Sequence, residues 1–302
     1  MVLAIRPPEA FIPYRNGTQS FNAVSPPRYD PDRETIPEDP SSGRNNNQGF
    51  EGLSASPDGK TLYILLQSAL VQEGGESNPT RRNTRFLEYD ISRRTPRYVR
   101  EYVVPLPTYT NHNGNTRIAA QSEVHYVSDT QFMVLARDSN SGHGQDDSES
   151  LYRHIDIFDI SAATNIKSTA NDAVNGSIAS RDDGVLEAGV TPAQYCPWLD
   201  FNVNNQLNRF GYANGTVLHN GGEQDAGLLN EKWESIGLVP VNGNGGDGEY
   251  YLFSLSDNDF ITQDDIGYMN GGALQYADES GFNLDNQALV FKVKLPKHAR
   301  PV

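Results

Sequence analysis

Apolar residues in this chain occur in short runs that alternate with polar residues or end after a few positions. The run at 61–66, Thr-Leu-Tyr-Ile-Leu-Leu, is one example, and it follows a Pro-Asp-Gly turn. Runs rich in β-branched and aromatic residues, bounded by Asp, Asn, Gly and Pro, are typical of β-strands. The best helical candidate is one short stretch at 226–233. The pattern therefore predicts an all-β protein.

A longer pattern repeats three times along the chain. Its copies open at 50–53, 122–125 and 233–236, and each opening contains a Glu as its second residue. Each copy continues through a turn to a second strand, at 61–66, 131–136 and 250–255. After an insertion each copy has a third strand, at 86–91, 155–160 and 289–293. A fourth strand is expected after the first copy, at 98–104. The repeat places Glu51, Glu123 and Glu234 at equivalent positions.

Repeated units of this kind predict a β-propeller of four-stranded blades, because one such sheet cannot bury both of its faces alone. A β-sandwich could use the same strands, but it gives no reason for the repeated Glu. Closure takes about four to eight blades, so with three copies the ring can be incomplete at its N-terminus. We expect a Pro-rich segment at 1–47 that forms part of a blade or an extended loop, and a propeller domain at 48–302.

The charge balance restricts the partners. Asp and Glu number 39 against 24 Lys and Arg, which gives a net charge of −15. A negative field of this size disfavours nucleic acid and anionic membrane surfaces. No stretch approaches the roughly 18 consecutive apolar residues of a transmembrane helix. We therefore expect that the chain binds neither nucleic acid nor membrane, and we expect a monomer.

The single cysteine, Cys196, excludes an internal disulfide framework and a cysteine-based zinc site. Free cysteines are usually buried as small apolar side chains, and we expect the same of Cys196. Three N-glycosylation sequons begin at Asn16, Asn175 and Asn214. The N-terminus lacks the long apolar stretch of a signal peptide, so the protein is cytosolic or its export signal lies outside this chain.

Several carboxylates are candidate metal ligands. In a propeller the openings of successive blades meet around one mouth, so Glu51, Glu123 and Glu234 would converge there. Their mutual repulsion favours a bound cation, and Ca²⁺ is the natural choice for oxygen ligands. Asp257 and Asp259 could add ligands at the end of the third copy's second strand. The alternatives are hydrogen bonds between blades for the Glu residues and an Asx-rich turn for the Asp residues.

Basic residues accompany these carboxylates. Arg44, Arg137 and Lys232 stand near the three Glu residues in the sequence, and Arg81, Arg82 and Arg85 form a further cluster. Arginine forks bind phosphate and carboxylate oxygens; the alternative is that each base neutralises its neighbouring acid. His143, in Ser-Gly-His-Gly, could reach the mouth or lie in a surface loop.

Several segments resemble the phytase-like family, described as having the esterase-like activity of phytase. They are Asn-Gln-Gly-Phe-Glu-Gly-Leu-Ser-Ala-Ser-Pro-Asp-Gly at 47–59, Gln-Ser-Glu-Val at 121–124, Phe-Met-Val-Leu-Ala-Arg-Asp-Ser at 132–139, Asn-Glu-Lys-Trp-Glu-Ser at 230–235, Ser-Asp-Asn-Asp-Phe at 256–260 and Asn-Gln-Ala-Leu-Val-Phe-Lys-Val at 286–293. The chain looks most like the secreted fungal branch. The sequence has no Gly-x-Ser-x-Gly elbow, His-Glu-x-x-His motif or phosphate-binding loop.

The resemblance implies a secreted, extracellular propeller that hydrolyses phosphate or carboxylic esters. On this basis we expect a small anionic ester as the substrate, and calcium-assisted hydrolysis of phosphate monoesters such as phytate. Arg137, Asp138 and Lys232 are then the catalytic candidates, and Arg44, Arg137 and His143 the substrate-binding candidates. The metal candidates are Glu51, Glu123, Glu234, Asp257 and Asp259. The alternatives are a carboxylic esterase or lactonase on the same scaffold and a non-catalytic, calcium-stabilised binding propeller.

Overall fold

The computed structural model describes residues 4–22, 24–25, 30, 32–243, 248–269, 272–296, 299 and 301, with the backbone alone for 265–269 and 272–274. The chain divides into two compact units. Unit 1 comprises 1–134, 156–196 and 300–302, and unit 2 comprises 135–155 and 197–299. None of the helices in the described part of the chain is long and apolar enough to cross a membrane.

The described elements confirm the all-β prediction. The strands are β1 Tyr14–Arg15, β2 Thr18–Gln19, β3 Phe50–Ala55, β4 Thr61–Leu66, β5 Asn83–Asp90, β6 Arg97–Pro105, β7 Thr108–Thr110, β8 Thr116–Ile118, β9 Ala120–Tyr126, β10 Gln131–Arg137, β11 Arg153–Asp159, β12 Gln194–Asp200, β13 Gly237–Pro240, β14 Glu249–Leu255, β15 Asp265–Met269, β16 Gly272–Tyr276 and β17 Ala288–Lys294. Two 3₁₀ turns (Glu9–Phe11 and Val71–Glu73) and helix α1 (Asn204–Leu207) complete the set.

Two sheets have four strands each, in the orders β3-β4-β5-β6 and β12-β11-β10-β9. Each is a meander in which strands consecutive in sequence are neighbours. The boundary between the two units falls within β10, β11 and β12. A three-stranded sheet, β13-β14-β17, and three hairpins, β1-β2, β7-β8 and β15-β16, are the other sheets of the described chain. No closed ring forms among these sheets.

Sheet β3-β4-β5-β6 of unit 1 is buried on both faces. On β4, Tyr63 and Leu65 face one apolar cluster while Leu66 faces a second cluster on the other side. The first cluster contains Phe86 and Phe132, whose ring centroids lie 4.7 Å apart. The second includes the N-terminal residues Ala10 and Phe11. Burial on both faces explains why these strands read as nearly continuous apolar runs rather than strict alternation.

Sheet β13-β14-β17 of unit 2 is buried on one face. Residues alternate along β14, with Tyr250 and Leu252 buried and Tyr251 and Phe253 exposed. Alternation of this kind is typical of an antiparallel sheet with one face in solvent. Before this sheet, Trp233 is fully buried, and its indole N–H donates to the carbonyl of Asn230 at 2.9 Å.

Three local predictions are wrong. Residues 226–233 form turns and isolated bridges rather than a helix, and His219 pairs through its backbone with Leu228. The third copy's opening is not in a strand: Glu234 precedes β13, while Trp233 makes only an isolated bridge to Ser256. Cys196 is exposed, because it lies on β12, where most side chains are exposed.

Candidate functional site

Glu51 and Glu123 lie in unit 1, on β3 and β9. A carboxylate oxygen of Glu123 accepts the backbone N–H of Val124 at 2.8 Å. Burial raises the pKa of Glu123 to about 7, and the charge of Glu51 acts in the same direction. The strands approach closely at Gly52, where a Cβ atom would stand 2.8 Å from Cγ1 of Val124. The two carboxylates therefore influence each other, and Glu123 is held partly protonated near neutral pH.

Arg44 also lies in unit 1, in the loop before β3. Its backbone N–H donates to the carbonyl of Phe11 at 3.1 Å. Burial lowers the pKa of the Arg44 guanidinium, and the nearby charge of Arg15 lowers it further. Arg44 is thus a partly buried cation with another cation as its neighbour.

In unit 2, Arg137 is paired with two carboxylates. One guanidinium nitrogen lies 2.9 Å from Oε1 of Glu234, and the other lies 3.4 Å from Oε1 of Glu231. Arg137 is only 6 % exposed. The backbone N–H of Asn140 donates to the same Glu231 oxygen at 2.9 Å. The structure therefore brings Arg137 and Glu234 together, and it commits the arginine to an internal ion pair.

Asp138 is buried, and its carboxylate holds the following loop. It accepts the Ser150 hydroxyl at 2.7 Å and the backbone N–H groups of Leu151 and Tyr152 at 2.6 Å and 3.4 Å. Burial raises the pKa of Asp138, against these hydrogen bonds and the charge of Arg153. This geometry suits a carboxylate that positions a loop.

Lys232, Asp257 and Asp259 lie together in unit 2. Nζ of Lys232 stands 3.6 Å from Oδ2 of Asp259. A carboxylate oxygen of Asp257 accepts the backbone N–H of Asp259 at 2.6 Å, and Asp259 has a left-handed backbone with φ of 52°. These contacts describe an Asx turn whose charge is balanced by lysine.

A cavity of about 380 Å³ lies within unit 2, and His143 is in its wall. The lining combines apolar side chains with amides and one carboxylate, and none of the described residues in it is Lys or Arg. The lining residues are His143, Phe210, Gly211, Tyr212, Leu218, Ala226, Leu229, Asn283, Asp285, Asn286, Gln287, Ala288 and Leu289. Phe210 and Tyr212 are 57 % and 48 % exposed, so two aromatic rings stand open to solvent beside this cavity.

His143 is fixed rather than held in a loose loop. Its backbone N–H donates to the carbonyl of Leu229 at 2.9 Å, and its ring packs edge-on against Phe282. Gly142 permits this approach, since a Cβ there would stand 2.7 Å from the Leu229 oxygen and its φ is 130°. Burial lowers the pKa of His143, and the charge of His219 lowers it further against an opposing effect of Asp225. His143 is therefore a neutral imidazole at neutral pH.

The His219 and Asp225 pair was not predicted from the sequence. Nε2 of His219 lies 3.0 Å from a carboxylate oxygen of Asp225, and Nδ1 lies 2.7 Å from the carbonyl oxygen of Gly221. The pKa of Asp225 is lowered mainly by its hydrogen bond to His219. In the sequence, the only sign of this pair is that His219 and Asp225 stand six residues apart in a Gly-rich segment. Such a spacing is too common to predict a contact between the two side chains.

A model of the phytase-like family, described as "Esterase-like activity of phytase", matches residues 8–260. The chain belongs to the phytase-like family. It is 53 % identical over 275 residues to an uncharacterized secreted protein of the fungus Arthroderma benhamiae. The alignment covers 87 % of this chain and 52 % of that relative, so the chain spans about half of the relative's length. No solved structure matches.

In this phytase-like chain, all ten predicted site residues fall within the matched range 8–260. Seven of them lie in unit 2: Arg137, Asp138, His143, Lys232, Glu234, Asp257 and Asp259. Glu51, Glu123 and Arg44 lie in unit 1. Within unit 2 the structure pairs Arg137 with Glu234 and Lys232 with Asp259, and His143 shares a second, smaller pocket with Lys232, Asp257 and Asp259.

The phytase-like resemblance implies calcium, which takes about six to eight oxygen ligands. Over the described residues, no group of three or more His, Cys, Asp or Glu side chains is close enough to hold a metal ion. In unit 2 the carboxylates of Glu234 and Asp259 already face Arg137 and Lys232. The described side chains therefore do not form a ready calcium site.

Proposed function

We propose that this chain hydrolyses carboxylic esters or lactones in the unit 2 cavity, with His143 as the general base. The observation that carries the proposal is a half-buried, neutral imidazole in the wall of a partly apolar cavity. A cavity whose described lining has no lysine or arginine suits an uncharged ester better than a phosphate. Membership of the phytase-like family, with its esterase-like description, supports hydrolysis.

The proposed reaction needs only a water molecule and the ester. The unprotonated nitrogen of His143 accepts a proton from water as the water oxygen attacks the carbonyl carbon. The tetrahedral intermediate then breaks its bond to the alcohol oxygen, and His143 returns the proton to the leaving group. The products are a carboxylic acid and an alcohol. Tyr212 and Asn286, which line the same cavity, offer donors for the developing oxyanion.

The second candidate is calcium-assisted hydrolysis of phosphate monoesters such as phytate. The family description, which names phytase, favours it. In this version Arg137 and Lys232 would stabilise phosphoryl oxygens, and each would first have to release its carboxylate partner. A net charge of −15 opposes a polyphosphate unless cations are bound.

We also propose that the two four-stranded sheets are blades of a β-propeller and that the protein is extracellular. Consecutive meanders in the orders β3-β4-β5-β6 and β12-β11-β10-β9 support the propeller. The secreted relative supports the location. All three sequon asparagines, Asn16, Asn175 and Asn214, are exposed. A mass decrease after glycosidase treatment of protein secreted by a fungal host would identify glycans there.

The test measures hydrolysis of p-nitrophenyl butyrate, p-nitrophenyl phosphate and phytate by metal-stripped protein, with and without added Ca²⁺. The proposal predicts butyrate hydrolysis without calcium and its loss in His143→Asn. The matched control is His112→Asn, in the exposed β7-β8 turn of unit 1. Calcium-dependent phosphate release without butyrate hydrolysis selects the second candidate. No turnover of any substrate by folded protein leaves a non-catalytic binding propeller.

A further inference from the structure

Asp285 supplies the one acidic side chain among the described residues that line the unit 2 cavity. None of the ion pairs found in the described part of the chain includes Asp285. The residue is exposed, and its backbone carbonyl accepts Nδ2–H of Asn230 at 2.8 Å. The carboxylate of Asp285 therefore stands at the cavity wall without a described base as its partner.

The ring of Tyr212 is a second open group in the same lining. Tyr212 is 48 % exposed, and no aromatic ring or cation of the described residues stacks on it. Phe210 differs, because Cζ of Arg209 already lies 5.8 Å from the centroid of its ring. Of these two exposed aromatic residues, Tyr212 is thus the one whose ring is left for a ligand.

Hydrogen bonds fix the backbone on both sides of the cavity. The backbone N–H of Tyr212 donates to the carbonyl of Thr216 at 2.8 Å. The segment that carries Asp285 is tied to Asn230 twice, because Oε1 of Gln287 also accepts the backbone N–H of Asn230 at 2.8 Å. Groups that are held in place before a ligand arrives lose less conformational entropy when it binds.

The other polar groups of the lining do not favour an anion. The amides of Asn283 and Gln287 are already engaged within the chain. Asn283 accepts the Thr262 hydroxyl at 2.6 Å, and Gln287 donates to the carbonyl of Leu228 at 2.8 Å. None of the described lining residues is Lys or Arg, and a net charge of −15 attracts cations to the molecule. An aromatic face and a carboxylate in one cavity are the groups that bind alkylammonium ions.

We propose that the unit 2 cavity selects esters whose alcohol part carries a quaternary ammonium group, and that Tyr212 and Asp285 bind this cation. The ester group itself stays uncharged, as in the reaction proposed above. Tyr212 would contact the cation through its ring face, whereas its hydroxyl is the donor named for the oxyanion. The selection of an ester rests on the proposed function, whereas binding of the cation alone does not.

The first test is calorimetric titration of the intact chain with choline and with its neutral tert-butyl analogue, in which carbon replaces the charged nitrogen. We expect choline to bind at least roughly tenfold more tightly than the analogue, and added salt to weaken choline binding. Asp285→Asn should remove most of this preference. The control Asp182→Asn, an equal charge change at an exposed position of unit 1, should keep it. Tyr212→Leu should weaken choline binding, whereas Tyr212→Phe, which keeps the ring, should not.

Hydrolysis of two thioesters separates this inference from the proposed function. The probes are acetylthiocholine and its neutral tert-butyl analogue. In both, water attacks the carbonyl carbon, the carbon–sulfur bond breaks, and acetic acid and a thiol form. A kcat/KM roughly tenfold higher for acetylthiocholine, with this preference lost in Asp285→Asn, supports both proposals. Choline binding without hydrolysis of either probe refutes the ester hydrolysis alone, and equal kcat/KM for the two probes overturns the selection of a cation alone.

Circular dichroism checks that each variant is folded. Equal affinity of the unsubstituted chain for choline and for the neutral analogue overturns the inference. So does the absence of choline binding by folded protein, or an equal preference for choline in Asp285→Asn and Asp182→Asn. If Tyr212→Leu does not fold, Asp285→Asn decides, because Asp285 is exposed and its side chain makes no ion pair with the described residues.

Discussion

Replacing Glu101 by glutamine tests the electrostatics of a fully buried ion network in unit 1. Arg85, Glu73 and Glu101 have no exposed side-chain surface. Arg85 pairs closely with Glu73 and lies 3.3 Å from Glu101, and the Tyr98 hydroxyl donates to Glu101 at 2.5 Å. One guanidinium therefore faces two carboxylates, and the network carries an excess negative charge when both are ionised.

Burial raises the pKa of Glu101 from 4.5 to about 7, although the charge of Arg85 opposes the shift. The pKa of Glu101 is higher in the folded chain than in the unfolded chain. Its contribution to the free energy of unfolding is therefore fully present below about pH 4.5 and is lost as the pH rises through 7. A shift of this size corresponds to about 3 kcal/mol. Glutamine resembles the protonated acid, so Glu101→Gln should remove this loss.

Urea unfolding at pH 5 and pH 8.5 measures the effect. Glu101→Gln should match the unsubstituted chain within about 1 kcal/mol at pH 5 and exceed its free energy of unfolding by up to about 3 kcal/mol at pH 8.5. The control Glu187→Gln, at an exposed position, should show no such dependence on pH. Arg85→Met should lose about 3–5 kcal/mol because it leaves buried carboxylates unpaired. Equal destabilisation by Glu101→Gln at both pH values would refute the reasoning.

Two further substitutions separate packing from chemistry. Gly52→Ala should lower the free energy of unfolding by about 1–3 kcal/mol, since the new Cβ would stand 2.8 Å from Val124; Gly49→Ala, which has open space, is the control, and equal melting temperatures would contradict the clash. Asp138→Ala should lower the melting temperature. The Ser150 hydroxyl and the backbone N–H groups of Leu151 and Tyr152 would lose the carboxylate that accepts their hydrogen bonds. Lost ester hydrolysis with an unchanged melting temperature would instead give Asp138 a catalytic role.

The strands were predictable because their pattern is local. Segment 61–66 became β4 with the predicted bounds, and 98–104 lies within β6. Glu234 lies just before β13, because the backbone N–H of Leu255 donates to the side-chain hydroxyl of Ser235 rather than to a backbone carbonyl. Alternation and turn residues specify strands, whereas the exact start of a strand depends on such long-range pairs.

The candidate site was less predictable, because its contacts join distant parts of the chain. Arg137 and Glu234 are 97 residues apart and still form an ion pair. The sequence offered only the general alternative that each base neutralises an acid, and it did not predict this pair. The role of His143 depends on Phe282 and on burial, neither of which is visible in Ser-Gly-His-Gly. Asp138 directly follows Arg137, yet its carboxylate is occupied by the loop at 150–152.

The pH dependence of p-nitrophenyl butyrate hydrolysis, with and without His143→Asn, tests the central claim most directly. Protonation of the base removes activity, so kcat/KM should fall as the pH drops. The midpoint should lie below 6.5, since burial lowers the pKa of His143 from that value. His143→Asn should lose roughly 100-fold or more in kcat, while His112→Asn keeps both rate and profile. Unchanged kcat and an unchanged pH profile in His143→Asn would contradict the account.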